Sequence, residues 1–66
     1  MVLEMLAEYR KKAGLTQEQL AFKTGMTGRT INRIESGKGV HLNNAKAIAK
    51  ALHVKLDELT RRTLEE

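Results

Sequence analysis

Two threonines and one glycine constrain the fold of this chain more than any other feature. Thr16 is a preferred N-cap residue, and Gln19, three positions later, completes a capping box, so a helix is predicted to begin directly after Thr16. Gly25 supplies the left-handed backbone of a sharp helix exit, and Thr27 caps the helix that follows. The sequence therefore predicts two short helices joined by a tight turn, over Gln17–Thr24 and residues 28–36.

The second of these helices is predicted to have one apolar side and one free polar side. At roughly 100° per residue, Ile31 and Ile34 fall together on a helical wheel. Leu20 and Ala21 of the first helix would face them, and a small residue at position 21 allows two helices to cross steeply. The opposite, free side carries Arg29, Asn32, Arg33 and Ser36.

Positive charge is concentrated around this helix pair. The 66-residue chain has a net charge of +4, but between residues 10 and 55 ten lysines and arginines are opposed by only two glutamates, Glu18 and Glu35. A basic region centred on two helices is typical of nucleic-acid-binding domains. Because the chain has a single Tyr and a single Phe, stacking on single-stranded RNA is a less favoured alternative than binding to duplex DNA.

Three further helices are predicted, so we expect an all-α, five-helix domain that spans residues 1–66. Counted along the whole chain, the first helix covers residues 2–13, ends at Gly14 and has an inward stripe of Leu3, Leu6, Arg10 and Ala13. The fourth covers residues 42–52, with Leu42, Ala45, Ile48, Ala49 and Leu52 buried and His53 at its exit. The last begins near Leu56 and turns Leu56 and Leu59 inward. Tyr9 and Phe22 are expected to be partly buried.

Catalysis and metal binding are not expected. The chain has no cysteine, and its histidines, His41 and His53, are isolated and suit surface or capping positions. Adjacent acidic residues such as Asp57 and Glu58 do not face one another on a helix, so they suit a helix start better than acid–base chemistry. No cofactor or small-molecule ligand is predicted. Since no apolar run approaches the roughly 20 residues that span a bilayer, a cytoplasmic protein is expected.

The segments GLTQEQLA, RTI and RIESGK resemble the phage repressor/Cro-type helix-turn-helix family of DNA-binding transcriptional regulators. The similarity extends from Leu6 to about Leu59. It departs from the family at Val40, His53 and Lys55, where the family often has a proline, a glycine and a hydroxyl cap. The resemblance implies a repressor-like fold and a structural ion pair between Arg10 and Glu35.

Candidate DNA contacts lie on the free side of the helix over residues 28–36 and around its edges. Arginine matches the O6 and N7 acceptors of guanine, so Arg29 and Arg33 are the first candidates for base reading, with Asn32 as a weaker one. Gly28 has no side chain but would let the helix approach the bases closely. The candidate phosphate contacts are Thr16, Gln17, Thr27, Thr30, Ser36 and Lys38. Backbone N–H groups of Lys38 and Gly39 are expected to be free for a phosphate.

The predicted function is that of a small dimeric repressor that reads the major groove of a palindromic operator. The homodimer is expected to form in solution or only on DNA. The candidate contacts are Val40, in the loop after residue 36, and Leu56, Leu59 and Leu64 in the last segment, of which Leu64 has no obvious place in the core of a monomer. The alternative is a protein-interaction module of the coactivator or antitoxin kind, built on the same fold.

Overall fold

The computed structural model describes residues 1–60 and contains five helices and no strand within that range. The predicted all-α, five-helix fold is therefore confirmed. None of the described helices is long and apolar enough to cross a lipid bilayer. The helices are α1 (Leu6–Lys12), α2 (Gln17–Thr24), α3 (Gly28–Glu35), α4 (Leu42–Leu52) and α5 (Leu56–Leu59).

The core lies where α2 packs on both α3 and α4. Leu20 and Ala21 of α2 are buried against Ile31 and Ile34 of α3, as the helical wheel predicted. The arrangement suits the sequence because a small residue at position 21 lets the axes of α2 and α3 approach. The core is completed by Leu3, Leu6, Ala45, Ile48, Ala49, Leu52 and Leu59.

The first helix is shorter than predicted, since α1 begins at Leu6 and not at residue 2. Long-range hydrogen bonds take up the backbone before it: Met1 accepts from the N–H of Val40 at 2.7 Å, and Met5 donates to the carbonyl of Leu59 at 2.8 Å. Leu3 nevertheless reaches the core from this non-helical segment. Ala13 was expected on the inward stripe but is exposed, because it lies beyond the last turn of α1.

Two apolar residues lie outside, contrary to expectation. Leu42 begins α4 with 51% of its surface exposed, since Ala45 and Ile48 carry the buried stripe of that helix. Phe22 is 88% exposed on the outer side of α2, whereas Tyr9 is half-buried as predicted. The exit of α4 at His53 is confirmed, with a left-handed backbone at φ 57°.

Candidate DNA-binding surface

Hydrogen bonds define both ends of α2. The Oγ1 of Thr16 accepts from the N–H of Gln19 at 3.0 Å, and the Oε1 of Gln19 accepts from the N–H of Thr16 at 2.8 Å. The predicted capping box is therefore formed. Gly25 adopts φ 75°, and the next N–H, of Met26, donates to the carbonyl of Ala21 at 2.9 Å. The chain can then turn sharply into α3 without strain, because glycine tolerates this conformation.

The start of α3 is capped by a pair of threonines. The Oγ1 of Thr27 accepts from the N–H of Thr30 at 3.2 Å, and the two hydroxyl oxygens lie 3.1 Å apart. Thr27 is exposed, whereas Thr30 is half-buried. Either hydroxyl can be the donor of this pair; when Thr30 donates, the O–H of Thr27 stays available to donate to a phosphate.

The free face of α3 carries the polar side chains that the helical wheel placed there. Arg29, Asn32, Arg33 and Ser36 are all exposed, and the Oγ of Ser36 donates to the carbonyl of Asn32 at 2.8 Å. Within residues 1–60, neither Arg29 nor Arg33 forms an ion pair. Both guanidinium groups therefore have their donors available for a ligand, and arginine forks suit guanine edges or phosphates.

Gly28, the first residue of α3, is buried under a side chain from α2. The carboxylate of Glu18 occupies the place where a Cβ of residue 28 would stand, and its Oε1 lies 3.0 Å from that position. Gly28 thus gives Glu18 access to the start of α3. Sequence reasoning missed Glu18 as a member of this surface because its approach depends on how α2 and α3 cross.

Three helices meet at one polar cluster, which we call the Glu35 cluster: Arg10, Gln17 and Glu35. Arg10 donates to both oxygens of Glu35, through Nε to Oε2 and through Nη2 to Oε1 at 3.2 Å. The Nη1 of Arg10 donates to the carbonyl of Leu15 at 2.8 Å, and the Nε2 of Gln17 donates to the Oε1 of Glu35 at 2.9 Å. Gln17 was a candidate phosphate contact; this bond leaves one of its two amide hydrogens for a ligand.

The Glu35 cluster also holds the carboxylate ionised. Burial raises the pKa of Glu35, but hydrogen bonds from Arg10 and Gln17 and the charges of Arg10 and Lys11 outweigh it, so the net pKa lies below the ordinary glutamate value. The charge at the end of α3 is therefore paired inside the domain. It does not oppose a phosphate at the exposed face.

A shallow groove runs beside α3 on the side of the loop that leads to α4. Its volume is about 200 Å³, and its lining includes Arg33 and Lys38 together with His41 and Asn44 from the start of α4. The expectation of a free N–H at Lys38 is wrong, because this group donates to the carbonyl of Arg33 at 3.1 Å. The exposed side chain of Lys38 remains available. The sequence pattern did not indicate Asn44, because only the packing of α4 brings this residue to the groove.

The proposed dimer residues are not equally available. Leu59 is fully buried in the core, so its assignment to a partner surface is wrong for this conformation. Val40 and Leu56 are half-buried and pack against the core while keeping part of their surface accessible. Leu64 lies outside the described residues.

The family model for the helix-turn-helix domain matches residues 6–59, which is most of the chain and includes every described helix. The chain therefore belongs to the helix-turn-helix family, and the resemblance to phage repressors is confirmed.

Three relatives bring the comparison closer to particular proteins. An uncharacterised HTH-type transcriptional regulator of Methanothermobacter thermautotrophicus is 45% identical over 73% of this chain and 71% of its own length. Another of Archaeoglobus fulgidus is 38% identical over 82% of this chain and 79% of its own length. The transcriptional repressor RstR of the cryptic phage CTXphi, from Vibrio cholerae, is 37% identical over 88% of this chain, which spans about half (53%) of that repressor. The chain is thus a helix-turn-helix transcriptional regulator by family.

Proposed function

We propose that this protein is a repressor that binds double-stranded DNA sequence-specifically, with α3 in the major groove. The observation that carries the proposal is the exposed face of α3, where Arg29 and Arg33 have no ionic partner among residues 1–60. Groups suited to phosphate lie on either side of it, with Thr16 and Thr27 at the starts of α2 and α3 and Lys38 after α3. A base-reading face between phosphate contacts is what an α-helix needs to dock in the major groove.

Selection of bound sequences from a random duplex pool, followed by a salt titration, tests this function. Five or six phosphates neutralised by a pair of subunits would give a log–log salt slope of about −5, at roughly −0.9 per phosphate. A recovered consensus together with such a slope is the expected result. Affinity for duplex DNA that does not change with salt, or no binding at low salt, would contradict the proposal.

Arg33 and Lys38 are proposed to do different work on the DNA. Arg33→Ala should weaken binding by about 1–3 kcal/mol and relax the preference at one base position, because a base-edge contact is lost. Lys38→Ala should weaken all sequences alike, since phosphates are the same everywhere. Competition binding against single-base variants of the selected site separates the two. Equal and sequence-blind losses would remove Arg33 from the base-reading set.

We further propose that two subunits act together on a palindromic site. One recognition helix reads only a few base pairs, too few to select a site among many competitors. A two-fold pair places its recognition helices about 34 Å apart, so half-sites should repeat at about 10–10.5 base pairs. Val40 and Leu56 remain the accessible candidates for the contact. Sedimentation with a palindromic duplex should give two subunits per duplex; one per duplex on a non-palindromic site would exclude the pair.

The alternative function, a protein-interaction module, has one observation in its favour. Phe22 is 88% exposed and, with Leu15, lines an open groove of about 560 Å³ on the outer side of α2. Large exposed aromatic surface is common in protein interfaces. If the domain is a DNA reader, Phe22→Ser should leave affinity for the selected duplex unchanged. Two results together would favour the alternative. The selection would recover no preferred duplex, and the domain would bind a protein partner independently of salt, with Phe22→Ser abolishing that binding.

A further inference from the structure

The start of α3 has a carboxylate from another helix where its own first side chain would stand. Gly28 offers no side chain, and the Glu18 carboxylate fills the vacant Cβ position. In helix-turn-helix proteins the N-terminal residues of the recognition helix contact base edges. Glu18 therefore stands where a residue at position 28 would meet a base.

The charge of Glu18 is unusual for its surroundings. Between residues 10 and 55 only Glu18 and Glu35 are acidic, and Glu35 is paired with Arg10. Within the described part of the chain, the Glu18 side chain is exposed and forms neither an ion pair nor a hydrogen bond. An unpaired carboxylate close to DNA is repelled by phosphates, so it costs affinity for every sequence unless a base offers it a donor.

We propose that Glu18, and not residue 28, reads a base at the start of the recognition helix, and that the base is cytosine. This inference rests on the proposed DNA-binding function. The exocyclic N4 amine of cytosine is a donor in the major groove, and glutamate accepts from it. Guanine presents only acceptors there, and thymine presents an acceptor and a methyl group, so neither base offers a carboxylate a hydrogen-bond donor. Adenine has a donor, N6, but its N7 acceptor lies beside that donor and repels a carboxylate, so cytosine is favoured over adenine.

The structure couples Glu18 and Gly28, which gives the proposal a sharp test. An alanine Cβ at position 28 would collide with the flexible end of Glu18, so the carboxylate would swing away while the backbone stays in place. Gly28→Ala should therefore imitate Glu18→Ala. Each substitution should abolish about tenfold discrimination for cytosine at one position, and the double variant should lose no more than either single one.

The measurement is competition binding of the full chain to its selected duplex and to duplexes changed at each base in turn. Glu18→Ala should also bind non-specific duplex several-fold tighter at low salt, because a repelling charge is gone. Glu18→Gln should shift the preference at the same position from cytosine to adenine, since an amide can bridge the N6 and N7 of adenine. Glu8→Ala, which removes an exposed carboxylate from α1, is the matched control and should change no base preference.

Two outcomes would overturn the inference alone. If Glu18→Ala tightens binding to all sequences equally and the base profile stays the same, Glu18 is only a repelling charge. If Gly28→Ala and Glu18→Ala change different base positions, or their effects add, the two residues do not share one contact. Absence of sequence-selective binding in the unmodified chain would instead remove the proposed function, and this inference with it.

Discussion

The chain leaves a helix through a left-handed backbone at the α2–α3 turn and again at the α4–α5 turn, and the two turns are built differently. At the first, glycine occupies the left-handed position, Gly25, and Thr27 caps the next helix with its side chain. At the second, His53 has φ 57° and Lys55 begins α5 without a side-chain cap. The same path is thus followed with strong local signals at one turn and weak ones at the other.

The difference shows where each turn gets its stability. Local residue types favour the α2–α3 turn even before the domain packs. The α4–α5 turn depends on the core, because Leu59 of the four-residue α5 is fully buried and its carbonyl accepts from Met5 at 2.8 Å. A helix of four residues has no stability of its own in water. The turn that carries the proposed recognition helix is therefore the one with the stronger local determinants.

The largest expected effect is at Leu59 of α5, whose burial holds the α4–α5 turn in place. Leu59→Ala should lower the free energy of unfolding by about 3 kcal/mol, because it leaves a cavity at a fully buried position. Leu42→Ala is the matched control: Leu42 is 51% exposed, so its loss should be well under half as large. Urea denaturation followed by circular dichroism measures both. Similar losses for the two leucines would contradict the dependence of α5 on the core.

Next in size is the polar tie that holds the far end of α3. Arg10→Ala should lower the free energy of unfolding by about 2–3 kcal/mol, because Glu35 would keep a largely buried charge without its partner. Lys50→Ala, which removes an exposed charge from α4, should cost less than about 0.5 kcal/mol. The same denaturation experiment compares them. A loss at Arg10 no larger than at Lys50 would show that the Glu35 cluster does not hold α3.

This tie also predicts a dependence on pH. The pKa of Glu35 is lowered on folding, so its contribution to stability is complete above the ordinary glutamate pKa and is lost as the pH falls through the lower folded-state pKa. Glu35→Gln should flatten the fall in unfolding free energy in that acidic window. An unchanged acid profile in this variant would mean that other carboxylates cause the fall.

How well the sequence predicts a helix boundary depends on whether the residues that determine it are close together in the chain. The bounds of α2 and the start of α3 were predicted correctly because Thr16, Gly25 and Thr27 act on their immediate neighbours. The start of α1 was predicted wrongly because Met1 pairs with Val40, a contact between residues far apart in sequence. Local patterns carry no information about such a pairing.

The candidate site shows the same limit. The exposed face of α3 follows from helical periodicity, so Arg29 and Arg33 could be found without a structure. The position of Glu18 over Gly28 could not, since it depends on the crossing of two helices. The exposure of Phe22 was not predicted either. An apolar residue type favours burial, but Leu20 and Ala21 already occupy the buried side of α2.

Substitutions at Gly25 and His53, the left-handed residues of the two turns, should sharpen the comparison. Gly25→Ala should lower the free energy of unfolding by about 1 kcal/mol through backbone strain alone, because no atom lies within 4 Å of the added Cβ. His53→Gly should raise it by about 0.5–1 kcal/mol, because glycine accepts the conformation without strain. Thermal denaturation of both variants gives the two signs. A loss at position 53 would mean that the His53 side chain makes a contribution larger than its strain.

The smallest effects concern the residues that begin the helices after the two turns. Thr27→Ala removes the hydroxyl that accepts from Thr30 and should lower the free energy of unfolding by about 1 kcal/mol or less. Lys55→Ser should raise it by about 0.5 kcal/mol, because Lys55 has an extended backbone suited to a cap but no side chain that can accept from α5. Since α5 has a single turn, this gain should also slow amide hydrogen exchange in α5 more than in α3. If Lys55→Ser protects neither helix, packing of Leu59 already orders the start of α5 fully, and the weak cap costs the domain nothing.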